Sequence, residues 1–350
     1  MTLTSLHNGR QEMQKLPTGG LSRRAPTLAD IAALSGVATS TVSRALSQPE
    51  RVSPRTRQRI EAAANQLGYT APAAPDPQSG PRAVALLIPD ITNPFFFGLI
   101  RSTQQQLRAA GYTLLLVDTE EVTDFESGYL ESFGHSAAGF ILAATRLSDE
   151  QLAEAAERFP LVTINRDSPG VPAVMIDTPN GVQQAAEHLY SLGHRDIVYL
   201  AGPTASWSDS HRWELLQETG KALGMSVRRH GPHHPSKSSG AAAADALVNS
   251  GATAAIAFND LLAIGVLMRL RERGIDVPGQ LSVVGCDDIF GADFCNPPLT
   301  TLSSPIEQAG RMATDMLLGQ LRAGSPVRRS GVVLPTHLVI RGSTGPVAAG

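Results

Sequence analysis

The stretch TLADIAALSGVATSTVSRALSQPERVSPRTRQRIEAAANQLGY, residues 27–69, decides how the chain is read. Thr27 followed by Asp30 has the spacing of a capping box, with Asp where Glu or Gln is usual. Leu28, Ile31, Ala32 and either Leu34 or Ser35 recur at helical spacing. Gly36 ends this helix, because glycine accepts a left-handed conformation cheaply. Val37 turns inward. A second short helix runs from near Ala38 to Leu46, with Val42, Ala45 and Leu46 on one face. Two short helices joined by a tight turn containing glycine make a helix-turn-helix. A third helix takes Ser53 as N-cap, Pro54 at its first position and Gly68 at its end. Its inward residues are Ile60, Ala63, Ala64 and Leu67.

The second helix turns Thr39, Ser40, Ser43 and Arg44 outward, so its N-terminal part can enter a major groove. Arg44 suits a bidentate contact to guanine or a link to phosphate. Thr41 and Ser43 suit phosphate oxygens. Thr27, Arg51, Arg55 and Thr56 complete the expected DNA-facing set. Spacing alone does not separate this reading from a plain helical subdomain, but charge does. Seven arginines against three carboxylates give residues 21–70 a net +4, and residues 1–20 add +1. The whole chain carries −3, so residues 71–350 carry −8. A basic head on an acidic body suits a protein that meets DNA with one end only.

The motifs T-[LI]-x-D-[IV]-A, the S-G-V turn, T-V-S-R and V-S-x-x-T-R-x-[RK]-[IV] occur here in order. The head therefore resembles that of the LacI/GalR family of bacterial repressors. By that resemblance Thr39 and Ser40 occupy the family's variable base-reading pair, and Arg44 matches a further operator contact.

At 350 residues the chain accommodates a small head and a larger body. Its 42% hydrophobic content supports real cores, and its 17% charged content is too low for a disordered chain. Two cysteines, Cys286 and Cys295, build neither a disulfide framework nor a metal site. No apolar run reaches the roughly 18 residues that span a bilayer. The N-terminus lacks the apolar core of a signal peptide. These features place the chain in the cytoplasm, with no membrane partner. Residues 1–25 read as a flexible extension and 26–70 as the head. Residues 71–82 read as a proline-rich linker, with Pro72, Pro75, Pro77 and Pro81. Relatives of the family form a hinge helix here that pushes a leucine into the minor groove. This linker has no leucine between Ala71 and Pro81, and its prolines oppose a helix.

From Arg82 apolar runs alternate with amphipathic helices. The strands are 83–89, 112–118, 139–145, 160–165, 173–177, 196–202, 225–230, 253–259 and 281–286, with a last strand pair over 332–340. Such βα alternation implies two doubly wound α/β lobes with a cleft between them, and ligands sit at the carboxyl ends of the strands. PDITNPFF, GHRDIVYLAGP, VPGQLSVVGCDDI and LPTHLVIRGSTGP are similar to LacI/GalR effector domains, which are similar to periplasmic sugar-binding proteins. That resemblance implies an effector-binding and dimerisation domain over 83–345. The chain then crosses between lobes near 178, 302 and 331. The N-lobe comprises about 83–178 and 303–330, the C-lobe about 179–302 and 331–343.

Asp90, Asn93, Asn165, Arg166, Asn259 and Asp287 lie at strand ends, and Arg212 lies near the start of a helix. Paired charges and planar amides suit hydroxyl-rich ligands, since a sugar hydroxyl both donates and accepts. By the resemblance, the positions of Arg212, Asn259 and Asp287 grip the effector. For Asp90, Asn93 and Asp288, capping of a turn is the alternative. Trp207, in the loop before the Arg212 helix, offers a ring for sugar stacking or for packing beside the cleft. Phe95 and Phe96 offer a cleft wall or core packing.

The leading expectation is a transcriptional repressor. It binds a near-palindromic operator as a homodimer and responds to a small polar effector, with neither metal nor cofactor. A solute-binding protein of a transport system is the alternative. No G-x-G-x-x-G follows a strand, and no G-x-x-x-x-G-K-[ST], serine elbow or H-E-x-x-H occurs, so an enzyme is not expected.

Overall fold

The computed structural model describes residues 26–47, 51–69, 82–323 and 331–348. The expected N-terminal extension, and the linker with its hinge-helix question as far as Pro81, lie outside the described residues. The described residues divide into two compact units, one within 26–69 and one within 82–348.

The head contains α1 (Leu28–Ser35), α2 (Thr39–Ser47) and α3 (Pro54–Leu67). The capping box at Thr27 and Asp30 is formed, and Gly36 ends α1 in the left-handed region at φ 68°. Ile31, Ala32, Val42, Ala45, Ile60, Ala63 and Ala64 make the core. Ser35 takes the inward position and Leu34 stays exposed; Leu67, expected on the inward face of α3, is 36% exposed instead. The Ser35 hydroxyl donates to Ile31 O at 2.6 Å, and Arg59 Nη2 donates to Ser35 O at 2.5 Å. Those bonds tie the end of α1 to α3 and satisfy carbonyls that a helix end otherwise leaves open.

In the body the order is β1 (Ala83–Ile88), α4 (Phe95–Ala109), β2 (Thr113–Asp118), α5 (Thr123–Phe133), β3 (Ala137–Ala143), α6 (Asp149–Arg158), β4 (Leu161–Ile164) and β5 (Ala173–Ile176). There follow α7 (Thr178–Ser191), β6 (Asp196–Leu200), α8 (Trp207–Leu223), β7 (Ser226–His230), α9 (Gly240–Ser250), β8 (Ala254–Ala257), α10 (Asp260–Glu272), β9 (Ser282–Asp287) and β10 (Thr300–Ser303). The chain closes with α11 (Ile306–Ala323), β11 (Val332–Leu334) and β12 (His337–Val339). Two six-stranded sheets result, ordered β11-β5-β4-β3-β1-β2 and β12-β10-β9-β8-β6-β7. All pairings are parallel except β10 with β12. Apolar cores lie on both faces of each sheet. This is why the inner strands read as continuous apolar runs rather than alternating ones.

Several details of the body differ from the sequence reading, which did not expect β10 as a strand. Val332–Leu334 and His337–Val339 are not one strand pair: β11 joins β5 in the first sheet, while β12 joins β10 in the second. The third crossing therefore falls at Pro335–Thr336 rather than near 331, since Pro335 lacks the N–H that would extend β11. The crossings are tied together, with Asp177 N donating to Leu334 O at 2.8 Å and Thr336 Oγ1 donating to Asp177 O at 2.8 Å. Helix α5 gave no clear signal, because its inward face includes the buried carboxylate Glu126.

Close backbone packing joins α9 to α10. A Cβ on Gly240 would lie 2.2 Å from the Gly265 carbonyl carbon, with backbone rather than a yielding side chain in its way. Gly128, midway along α5 on its exposed face, has nothing within 4 Å of such a Cβ. Gly240→Ala is expected to destabilise the body by about 2 kcal/mol or more. Gly128→Ala should stabilise it by roughly 0.5–1 kcal/mol. Urea denaturation of the two variants measures this, and coincident midpoints would refute the packing account.

Candidate functional site

On the head, Thr39, Ser40, Ser43 and Arg44 are exposed on α2, and Thr41 is half-buried. Arg51 and Arg55 are exposed beside the start of α3. The hydroxyl of Thr27 is engaged in the cap of α1, donating to Asp30 Oδ2 at 2.6 Å. Thr56 Oγ1 lies 2.8 Å from the Ser53 hydroxyl within the cap of α3. The head thus presents hydroxyls and guanidinium groups around one short helix, a donor set suited to phosphates and base edges.

On the body, strand ends from both sheets meet at an open cleft. Asp90, Asn93, Phe95, Asn165, Arg212, Asn259 and Asp287 all line it, joined by Phe96, Pro235 and Phe258. Asp90 Oδ1 accepts from Thr92 N at 2.7 Å, and Asn93 Oδ1 accepts from Phe95 N at 3.0 Å. Both therefore cap a turn and face the cleft at once. Asn165 Oδ1 accepts from Ile176 N at 2.9 Å, while its carbonyl accepts from the Ser208 hydroxyl of the other lobe at 3.4 Å. Asn259 caps α10 through Leu262 N at 2.9 Å, and its Nδ2 donates to Pro235 O at 3.2 Å.

Arg212 is buried, at 5% exposure. Its Nε donates to Thr178 Oγ1 at 2.9 Å, and its Nη1 donates to Phe258 O at 2.7 Å. Burial opposes the cation, but Cys286, Tyr199, Asp287 and Asp209 outweigh it and raise the pKa. Asp287 is raised by burial and then by Asp260. Asp260 is fully buried, accepts from Ile289 N at 2.9 Å and from Thr301 Oγ1 at 2.5 Å, and is pushed up to about 6, by burial first.

Two expected cleft residues lie elsewhere. Arg166 turns its Nη2 to Asp149 Oδ1 at 2.8 Å and to Leu147 O at 3.2 Å, so it braces the N-lobe and does not line the cleft. Trp207 is the first residue of α8 rather than part of a loop, and its ring stacks on His211 at 3.7 Å between centroids. Asp288 pairs with Arg341 at 2.6 Å. Sequence reasoning missed Glu121, Arg146, Ser206 and Ser208, all of which line the cleft. Glu121 and Arg146 follow β2 and β3, and their position beyond parallel strands was the available signal.

A helix-turn-helix head with a two-lobed body that gathers polar side chains at one cleft defines a ligand-responsive DNA-binding protein. Residues 27–71 match the bacterial regulatory proteins of the lacI family, and residues 186–344 match a periplasmic binding protein-like domain. The HTH-type transcriptional regulator DegA of Bacillus subtilis (strain 168) is 32% identical over 335 residues, 92% of this chain and 98% of DegA. The HTH-type transcriptional repressor CytR of Escherichia coli (strain K12) is 31% identical over 337 residues, 91% of this chain and 96% of CytR. Among solved structures, the transcriptional regulator CelR in complex with cellobiose shares 30% identity at a TM-score of 0.66, over 91% of this chain and 99% of CelR. The chain belongs to the lacI family and is a DNA-binding transcriptional regulator.

Asp260 supplies a pH test. Its folded pKa lies above the unfolded value of 3.8, so its contribution is favourable below about pH 3.8 and is lost as pH rises through about 6. Asp260→Asn removes that loss. Its stability relative to wild type should rise between pH 4 and pH 7, by about 1 kcal/mol or more. Denaturant melts at both pH values measure the difference, and a pH-independent gap would show that Asp260 does not titrate as described.

Proposed function

We propose that this regulator represses transcription as a homodimer on a near-palindromic operator, and that a sugar or sugar derivative in the cleft changes its operator affinity. The observation that carries the reading is the convergence of Asn93, Asn165, Arg212, Asn259 and Asp287 from two lobes on one cleft. A ligand bridging both lobes binds the closed arrangement better than the open one, which is the condition for shifting an equilibrium. CelR, which binds cellobiose, supports the choice of a sugar. CytR, a repressor, supports the sign of the control.

Two heads on a twofold axis read two half-sites of matching symmetry. Phe290 and Phe294 support a self-association surface: they are 80% and 64% exposed and stack edge to face at 5.1 Å. Thr39, Ser40 and Arg44 read bases in this proposal, while Thr27, Thr41, Ser43, Arg51, Arg55 and Thr56 contact the backbone. The cleft serves binding rather than catalysis, and the protein works in the cytoplasm on the nucleoid. No helix of the described residues is long and apolar enough to cross a membrane.

Footprinting of the protein's own upstream region tests the proposal, with a protected and salt-sensitive site expected. Arg44→Ala should weaken that site tenfold or more, about 1.4 kcal/mol, with ligand binding intact. Arg212→Ala should keep the footprint and lose the ligand response. A wild-type response in Arg212→Ala would remove Arg212 from the effector site.

A further inference from the structure

Glu121 and Arg146 stand side by side on the N-lobe wall of the cleft. Their side chains are 13% and 5% exposed, and Arg146 Nη2 lies 3.6 Å from Glu121 Oε1. That separation is an ion pair but not a hydrogen bond. Among the described residues, neither the guanidinium of Arg146 nor the carboxyl of Glu121 makes a hydrogen bond, although the Arg146 backbone N–H donates to Glu126 Oε1 at 3.1 Å. Among the described residues no side-chain atom of either group is both buried and unpartnered, so each still meets solvent. Both groups line the cleft, where Glu121 Oε2 also lies 3.9 Å from His234 Nε2.

The backbone holds them there. Glu120 and Glu121 both lie in the left-handed region, at φ 51° and 60°, and Ala144 on the cleft wall lies at 48°. Residues other than glycine rarely adopt this conformation, and such strain concentrates at binding sites. Glu121 N is pinned to Pro89 O at 3.0 Å.

We propose that Glu121 and Arg146 form a subsite for adjacent hydroxyls of a neutral sugar, and that the pair rejects sugar acids and sugar phosphates. The inference rests on the reading of the cleft as the effector site and narrows its ligand class. Vicinal hydroxyls meet both halves of the pair. One donates to the Glu121 carboxylate and the other accepts from the Arg146 guanidinium. An anionic ligand would gain Arg146 but would sit against Glu121, in a cleft whose wall also carries Asp90. Rejection by an unfavourable charge is a common source of specificity. A cationic ligand would meet Arg146 and Arg212 in the same way.

The test is a thermal-shift and calorimetry panel on the full-length protein. It holds glucose, galactose, xylose, ribose, cellobiose and maltose, with glucuronate, galacturonate, glucose 6-phosphate and ribose 5-phosphate as anionic counterparts. A neutral member should bind, and its anionic counterpart should bind at least tenfold more weakly. In Glu121→Gln, which keeps shape and removes the charge, that discrimination should shrink by tenfold or more. In Arg146→Met the neutral ligand should weaken by at least tenfold, and so should a deoxy analogue of it on the wild-type protein. An anionic member binding wild type better than its neutral counterpart would overturn this inference and leave the cleft an effector site. Unchanged discrimination in Glu121→Gln, with the variant folded by circular dichroism, would overturn it too. No binding by any member would sink the sugar reading itself.

Discussion

The buried guanidinium of Arg212 is the interaction on which the arrangement of the cleft depends. A cation at this depth survives only if its N–H groups and its charge are matched. Here the matching groups come from separate parts of the fold. Thr178 opens α7 just past the first crossing between the lobes, Phe258 ends the turn after β8, and Asp287 ends β9. One side chain thereby ties a crossing to the floor of the cleft. The crossings are coupled further by the bonds among Asp177, Leu334 and Thr336. A ligand that redirects Arg212 would act on that crossing.

The cleft wall is also where the backbone departs from easy geometry. Glu121, Ala144, Asn165 and Asp287 line the cleft with φ between 48° and 125°. Each such conformation costs on the order of 1–3 kcal/mol for a residue with a side chain. The flanking strands are buried on both faces, and their packing offsets that cost. Parallel topology brings all these strand ends to one edge, so the strained positions collect at the cleft. The carboxylates Asp260 and Asp287 sit on the same edge, where burial raises both.

Much of this was legible in the residues. The capping box, the Gly36 and Gly68 stops and the TVSR helix are local signals, and local chemistry decides them. The alternation of apolar runs and helices was equally plain, because doubly covered strands leave no polar interruption. What local signals did not carry was partner choice. Nothing in VVLPTHLVI says that its two halves enter different sheets. Arg166 and Trp207 have the chemistry of ligand contacts, but Asp149 and His211 claim them. Glu121 and Arg146 belong to no motif, and they meet only because β2 and β3 flank β1 in the same sheet. Ser35 displaced Leu34 from the head core because its hydroxyl bonds within its own helix and its carbonyl meets Arg59.

The central claim is that cleft occupancy and DNA binding are linked in one molecule. Linkage is reciprocal: an effector that changes operator affinity by some factor has its own affinity changed by the same factor when operator is bound. Calorimetric titration of operator with and without saturating effector, and of effector with and without saturating operator, measures both factors. The account predicts two equal factors, in the range of about 5–150 typical of such coupling. Operator affinity that stays constant across effector saturation would contradict it.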